Sequence, residues 1–148
     1  KKNNFDKFTD LLLYFASRSE NMINLRKAYK KKIIIIDRFV DSTIAYQHFG
    51  QGVDIKTINF INNQLLQNFK INLTFLNIVS IDNMILRLKK RKKLNRYDKF
   101  DINFYKKVQN GFLKIAKKNS KAYKIIDSNL SIESNKKTII DIVKKLIN

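Results

Sequence analysis

From Phe5 to about Lys30 the apolar residues Phe8, Leu11, Leu12, Phe15, Met22, Ile23 and Leu25 recur at spacings of three and four, with no Gly or Pro among them. That spacing predicts a long amphipathic helix. Four β-branched aliphatics in a row follow, Ile33 to Ile36, preceded by Lys30 to Lys32 and followed by Asp37-Arg38. Such a run reads as a strand buried on both faces of a parallel sheet. A polar loop or short helix through Gln47 leads to a Gly50-x-Gly52 turn, and Asp54 can cap a helix whose buried stripe is Ile55, Ile58, Ile61, Leu65 and Phe69. Leu73 to Ile78 predicts the next strand. Ser80 then caps a helix carrying Ile81, Met84, Ile85 and Leu88.

Beyond the basic segment Lys89 to Lys99, Phe100 and Asp101 open a helix with Phe104, Val108, Phe112 and Ile115 or Ala116 inward. Tyr123 to Asp127 predicts a third strand, and Ser131 to Ile147 a closing helix with Ile132, Ile139, Ile140, Val143 and Ile147 on its inner face. Strands that alternate with helices predict an α/β fold with a parallel sheet and right-handed crossovers. Three strands among five or six helices is a low ratio for a complete doubly wound domain, and no internal repeat or low-complexity linker is present.

Composition narrows this picture. A chain of 148 residues with 44% hydrophobic content fits one compact domain, residues 1–148. The absence of cysteine excludes disulfides and thiolate metal sites and fits a reducing compartment. No apolar run approaches the roughly 18 to 20 residues of a membrane span, and Lys1-Lys2-Asn3-Asn4 leads into no signal-peptide core. A soluble, cytoplasmic protein is expected.

The formal charge of +19 raises nucleic-acid binding as a function class. The excess is nearly all Lys, spread along the chain beside many Asn and Ile and no Pro, as A/T-rich coding imposes on surface positions. The reading that fits is a solvated basic surface, which still concentrates anionic ligands such as nucleotides.

Three groups carry candidate chemistry. Tyr14 and Arg18 are four apart, so a ring and a guanidinium share one helix face and can address one ligand, or form an ordinary core edge. Asp37 and Arg38 end the Ile33 to Ile36 run, at the end of a parallel strand where ligands bind. There an Asp can hold a hydrated Mg²⁺ and an Arg can fork onto a phosphate; Ser42, Tyr46 and Gln47 follow as a hydroxyl, a ring and an amide. Arg87 to Asp98 is a cationic segment of the kind that surrounds a transferring phosphoryl group.

The order and spacing of these groups resemble the thymidylate kinases, nucleoside monophosphate kinases of P-loop fold, over essentially the whole chain. Leu12-Leu13-Tyr14-Phe15-Ala16-Ser17-Arg18 resembles the family's aromatic-then-Arg helix, and Asp37-Arg38-Phe39 with Asp41 to Gln47 its Asp-Arg signature. Arg87 to Asp98 is similar to its lid, set at about 89–99, and Ile126-Asp127-Ser128 to the turn near adenine.

The resemblance implies transfer of the γ-phosphoryl of ATP to dTMP. Tyr14 would stack on thymine, Arg18 would bond the base and Arg38 the 5′-phosphate, while Asp37 would lie in the Mg²⁺ shell. Ser42, Tyr46 and Gln47 would line the nucleoside pocket, Arg91 and Arg96 would be the lid arginines, and Asp127 and Ser128 would meet the adenine side of ATP. It also implies a homodimer when full length, with no role for nucleic acid or membrane.

Departures are His48, Phe49 and Gly50-Gln51-Gly52 where small residues and Gly-Arg-Gly are usual, Asn95 for a lid Asp, and Asn77 for a strand-end Asp. No Gly-x-x-x-x-Gly-Lys-Ser/Thr occurs among the three glycines. The family's first strand and P-loop therefore have no counterpart here, an incomplete sheet is expected, and these residues alone should bind ATP weakly and aggregate. Two other classes stand beside this one: a deoxynucleoside kinase of the same fold, and a basic nucleic-acid-binding module with steeply salt-dependent binding.

Overall fold

A computed structural model describes residues 5–29, 31–93, 98 and 100–147. Helix α1, Lys7–Ala28, is followed by a short α2, Val40–Thr43, which runs directly into a π-helical turn, Ile44–Gly50. Then come α3 (Ile55–Leu66), β1 (Thr74–Ile78), α4 (Ile81–Lys89), α5 (Ile102–Lys118), a 3₁₀ turn (Ser120–Ala122), β2 (Tyr123–Asp127) and α6 (Ile132–Ile147). β1 and β2 pair in parallel from Thr74 opposite Tyr123 to Ile78 opposite Asp127, with α4 and α5 between them in sequence.

Short polar side chains set the helix starts by satisfying backbone N–H groups that have no intrahelical partner. Asp6 accepts from Phe8 N at 2.8 Å, Asp54 from Thr57 N at 2.9 Å, and Asp101 from Phe104 N at 2.7 Å. Ser80 does the same for Asn83 N at 3.3 Å, and Ser131 for Ser134 N at 3.1 Å. The Gly50-x-Gly52 turn also forms, and Gly52 takes φ +73°, a conformation that a side chain disfavours.

Two apolar clusters place the site. Leu11 and Phe15 of α1 meet Val53 and Ile58, with Ile44, Ile61 and Leu65 against them. Ala45 of the π turn meets Phe104 and Val108 of α5, with Tyr46, Tyr105, Phe112 and Ile115 around them. The π turn thus lies between the clusters, giving Ile44 to one and Ala45 and Tyr46 to the other. Its contact with α5 is very close: a Cβ at Gly111 would come within 2.5 Å of Phe49, and one at Gly50 within 2.6 Å of Phe104.

Two expectations are corrected. Ile33 to Ile36 forms no ladder with any strand among the described residues, and Ile35 is 91% exposed. β-branched propensity favours a strand, but ladder hydrogen bonds make one, and β1 pairs only with β2 in this sheet. In α6 none of the described residues is fully buried, and Ile132 is 81% exposed. Its apolar stripe is amphipathic as expected, without a described surface closing over it. On α1 the pattern resolves further: Leu11, Phe15 and Met22 are buried, while Phe8, Leu12 and Ile23 are about half exposed.

Candidate active site

An open cleft of about 480 Å³ lies between α1 and the chain from Ile35 to Gln47. Tyr14 and Arg18, one helical turn apart, form one wall with Ser17, Asn21 and Asn24. Asp37, Arg38, Phe39, Ser42, Thr43, Tyr46 and Gln47 form the other. The structure therefore brings Tyr14, Arg18, Asp37, Arg38, Ser42, Tyr46 and Gln47 around one hollow. Gln47, only 2% exposed, sits deepest, and Asp37 and Arg38 are at the open rim.

Arg18 spans the two walls. Nη1 donates to Thr43 Oγ1 at 2.8 Å and Nη2 to the Phe39 carbonyl at 3.2 Å. The Phe15 and Phe39 rings flank its guanidinium at 5.7 and 5.8 Å. Burial lowers the Arg18 pKa from its ordinary value and the charge of Asp41 opposes that; a guanidinium stays protonated throughout. Its remaining N–H groups are available to a ligand carbonyl.

Arg38 adopts φ +61°, in the left-handed region that a side chain rarely occupies. Its guanidinium carbon stands 5.2 Å from the centre of the Tyr46 ring, a cation–π distance that gives the exposed side chain a preferred direction. Tyr46 is itself wedged edge-on against Phe104 and Phe112, at 6.0 and 6.3 Å. The chain from Ile44 to Gly50 is π-helical, a form often found at functional sites because it re-aims side chains. His48 is occupied in this turn: its Nδ1 donates to the Val53 carbonyl at 2.8 Å.

Asp37 is a single exposed carboxylate, and no group of three or more His, Cys, Asp or Glu gathers among the described residues. One carboxylate fits Mg²⁺, which keeps several waters and takes its other ligands from substrate phosphates, and does not fit an all-protein cage.

The remaining candidates lie elsewhere. Arg91 Nη1 donates to Asp98 at 2.7 Å across the basic segment, whereas Arg96 lies outside the described residues. Asp127 and Ser128 close the carboxyl end of β2, away from the cleft. Asp127 Oδ1 accepts from Asn129 N at 2.9 Å and Nδ2 at 2.6 Å, its carbonyl accepts from Asn135, and Ser128 N donates to the Ile78 carbonyl at 2.7 Å. The Asp127 carboxylate is therefore committed to the turn.

Sequence reasoning passes over Thr43, Asp41 and Tyr123. Thr43 sits inside the quoted run and could have been found from its spacing to Ser42 and Gln47. Asp41 accepts a hydrogen bond from the Tyr123 hydroxyl, 82 positions away, which no local pattern reveals. Burial raises the Asp41 pKa, and Tyr123 and Arg18 pull it back; burial followed by Asp41 raises that of Tyr123.

The chain is similar to known proteins. The model of the thymidylate kinase family matches residues 1–139. The chain is 34% identical over 143 residues to the thymidylate kinase of Sulfurihydrogenibium sp. (strain YO3AOP1), covering 95% of this chain and 69% of that one. It is 39% identical over 121 residues to the enzyme of Ehrlichia chaffeensis, covering 80% of this chain and 57% of that one. The crystal structure of thymidylate kinase from Ehrlichia chaffeensis is similar with a TM-score of 0.71 and 31% identity, over 99% of this chain and 70% of that one. The chain thus spans only part of the relatives' length, 69% and 57% in these two.

Proposed function

Because the chain belongs to the thymidylate kinase family, we propose that the protein containing it transfers the γ-phosphoryl group of ATP to dTMP, giving dTDP and ADP. The observation that carries this reading is the cleft, where an aromatic ring, two guanidiniums, a hydroxyl and a buried amide converge on a volume suited to a nucleoside monophosphate.

Tyr14 supplies a face for the base, and Arg18, already held by Thr43 and Phe39, turns its free N–H groups to a base carbonyl. Ser42, Tyr46 and Gln47 line the sugar and base, and Arg38 forks onto the 5′-phosphate. An oxygen of that phosphate attacks Pγ of ATP, a new P–O bond forms, the bond from Pγ to the β,γ-bridging oxygen breaks, and ADP leaves. The acceptor phosphate is ionised at neutral pH, so no general base is required.

Asp37 would hold Mg²⁺ through water, where the ion would neutralise phosphate charge. Arg91 and Arg96 approach the transferring group from the basic segment of about 89–99, and the Asp127–Ser128 turn lies on the adenine side. Residues 1–148, with that lid, belong to a domain that works in the cytoplasm as part of a homodimer.

The test is a coupled ADP-release assay on the intact protein with ATP and dTMP. Arg38→Ala should raise the dTMP KM and lower kcat/KM roughly 10- to 100-fold, as expected for hydrogen bonds to a charged group. Activity within twofold of wild type removes Arg38 from the phosphate site, and turnover with thymidine in place of dTMP overturns the monophosphate reading.

A further inference from the structure

We propose that Asp41 and Tyr123, neither of which lines the cleft, are positioning residues that hold Arg18 for its ligand. The inference rests on the reading of the cleft as the dTMP site. It starts from Arg18, whose guanidinium is partly buried between two aromatic rings and donates only to neutral oxygens, Thr43 Oγ1 at 2.8 Å and the Phe39 carbonyl at 3.2 Å. A cation in that setting needs a nearby anion, because neutral acceptors return only part of its lost hydration.

Asp41, next but one to Phe39 and two before Thr43, is the carboxylate whose charge acts on Arg18. It is partly buried in its turn and needs a donor to remain ionised. The Tyr123 hydroxyl supplies it from the first residue of β2. Tyr123 is anchored through its backbone, which pairs with Thr74 in the ladder between β2 and β1.

The Tyr123–Asp41 bond thus ties α2 to the sheet, and Phe39 and Thr43, on either side of Asp41 in the chain, hold Arg18 of α1. The Phe39 carbonyl accepts both from Arg18 and from Ser42 N at 3.1 Å. The bonds from Arg18 tie one cleft wall to the other. Removing the Tyr123 hydroxyl leaves Asp41 short of a donor, and removing the Asp41 charge leaves Arg18 held by neutral acceptors alone. In both cases the guanidinium gains freedom that a ligand then has to restrict again.

The experiment uses the intact protein and compares Tyr123→Phe, Asp41→Asn, the double variant and Tyr29→Phe. The last removes a hydroxyl that accepts from Lys70 N at 3.1 Å, outside the cleft. Nitrogen-detected NMR of the arginine guanidiniums, with the Arg18 signal identified by its loss in Arg18→Lys, reads rotation about its C–N bonds without nucleotide. Calorimetric titration with dTMP reads affinity. Restrained Arg18 signals should broaden or average in Tyr123→Phe and Asp41→Asn and stay sharp in Tyr29→Phe. The dTMP Kd should weaken roughly three- to tenfold in each of the first two, and the double variant should fall short of the product of the singles.

If Tyr123→Phe lowers the melting temperature while Arg18 signals and dTMP affinity match wild type, the contact is a structural tie and the proposal is overturned. Should Asp41→Asn not fold, Tyr123→Phe, which removes one oxygen, decides alone. If wild type does not bind dTMP, the kinase reading fails, while the guanidinium signals still decide whether Asp41 and Tyr123 restrain Arg18.

Discussion

Gly111→Ala probes the seam between α5 and the π turn, on which the position of Tyr46 and Gln47 depends. The added Cβ would lie 2.5 Å from Phe49 Cδ2, 2.7 Å from Cγ and 2.9 Å from Cβ, against about 3.5–4.0 Å for comfortable carbon contacts. Rotating the Phe49 ring about Cβ–Cγ relieves only the Cδ2 contact, because Cγ lies on that axis and Cβ moves only with the backbone. The seam must therefore open by several tenths of an ångström.

Overpacking of this kind costs about 1–3 kcal/mol. Ala is about 1 kcal/mol better than Gly inside a helix, so a site without the clash would gain stability. The fixed Cβ contact puts the cost in the upper part of its range, leaving a net loss of about 1–2 kcal/mol. For a domain of this size that lowers Tm by about 2–8 °C. Circular dichroism melts of the intact protein measure this, and the dTMP KM should rise as Tyr46 and Gln47 shift with the turn. Phe49→Leu in the same background should restore part of the loss. An unchanged or higher Tm for Gly111→Ala would refute the reasoning, because helix propensity would then have outweighed the contact.

Two further outcomes follow from the charges. Burial gives Asp41 a folded-state pKa above its unfolded value, so the native state holds the proton more tightly. Its contribution to stability is fully present below the unfolded pKa and is lost as pH rises through the folded one. Denaturant titrations across that window should decline less steeply for Asp41→Asn than for wild type, and parallel profiles would remove Asp41 as the source. Asp98→Asn frees Arg91 from its 2.7 Å partner, and the ATP KM should fall by up to roughly fivefold, the scale of a partly exposed pair. A KM that does not change confines Arg91 to its pairing with Asp98.

Both cleft walls are legible in the sequence because each is contiguous: Tyr14 and Arg18 share a helix turn, and Asp37 to Gln47 is one short run. Asp54, Ser80 and Asp101 mark helix starts because capping is local chemistry. What joins the walls is not legible. The bond from Arg18 to Thr43 spans 25 positions and that from Tyr123 to Asp41 spans 82, and nothing in a residue's near neighbours encodes either. The π turn escapes for another reason, since Gly50 and Gly111 acquire meaning only when α5 lies against Phe49. Ile33 to Ile36 shows the opposite error: the local signal for a strand is strong, yet pairing belongs to the sheet and not to the run.

With the proposed role of Arg38 at the phosphate, its left-handed backbone sets stability and activity against each other at one codon. A side chain in that region costs about 1–2 kcal/mol, which Gly would recover and Asn would recover in part. A library selected only for survival of heating should therefore enrich Arg38→Gly and Arg38→Asn, while one selected for growth that depends on the proposed phosphorylation of dTMP should reject them. Sequencing the two pools would show whether this position is held by selection for function against a steady thermodynamic pull, and equal enrichment in both would show that it is not.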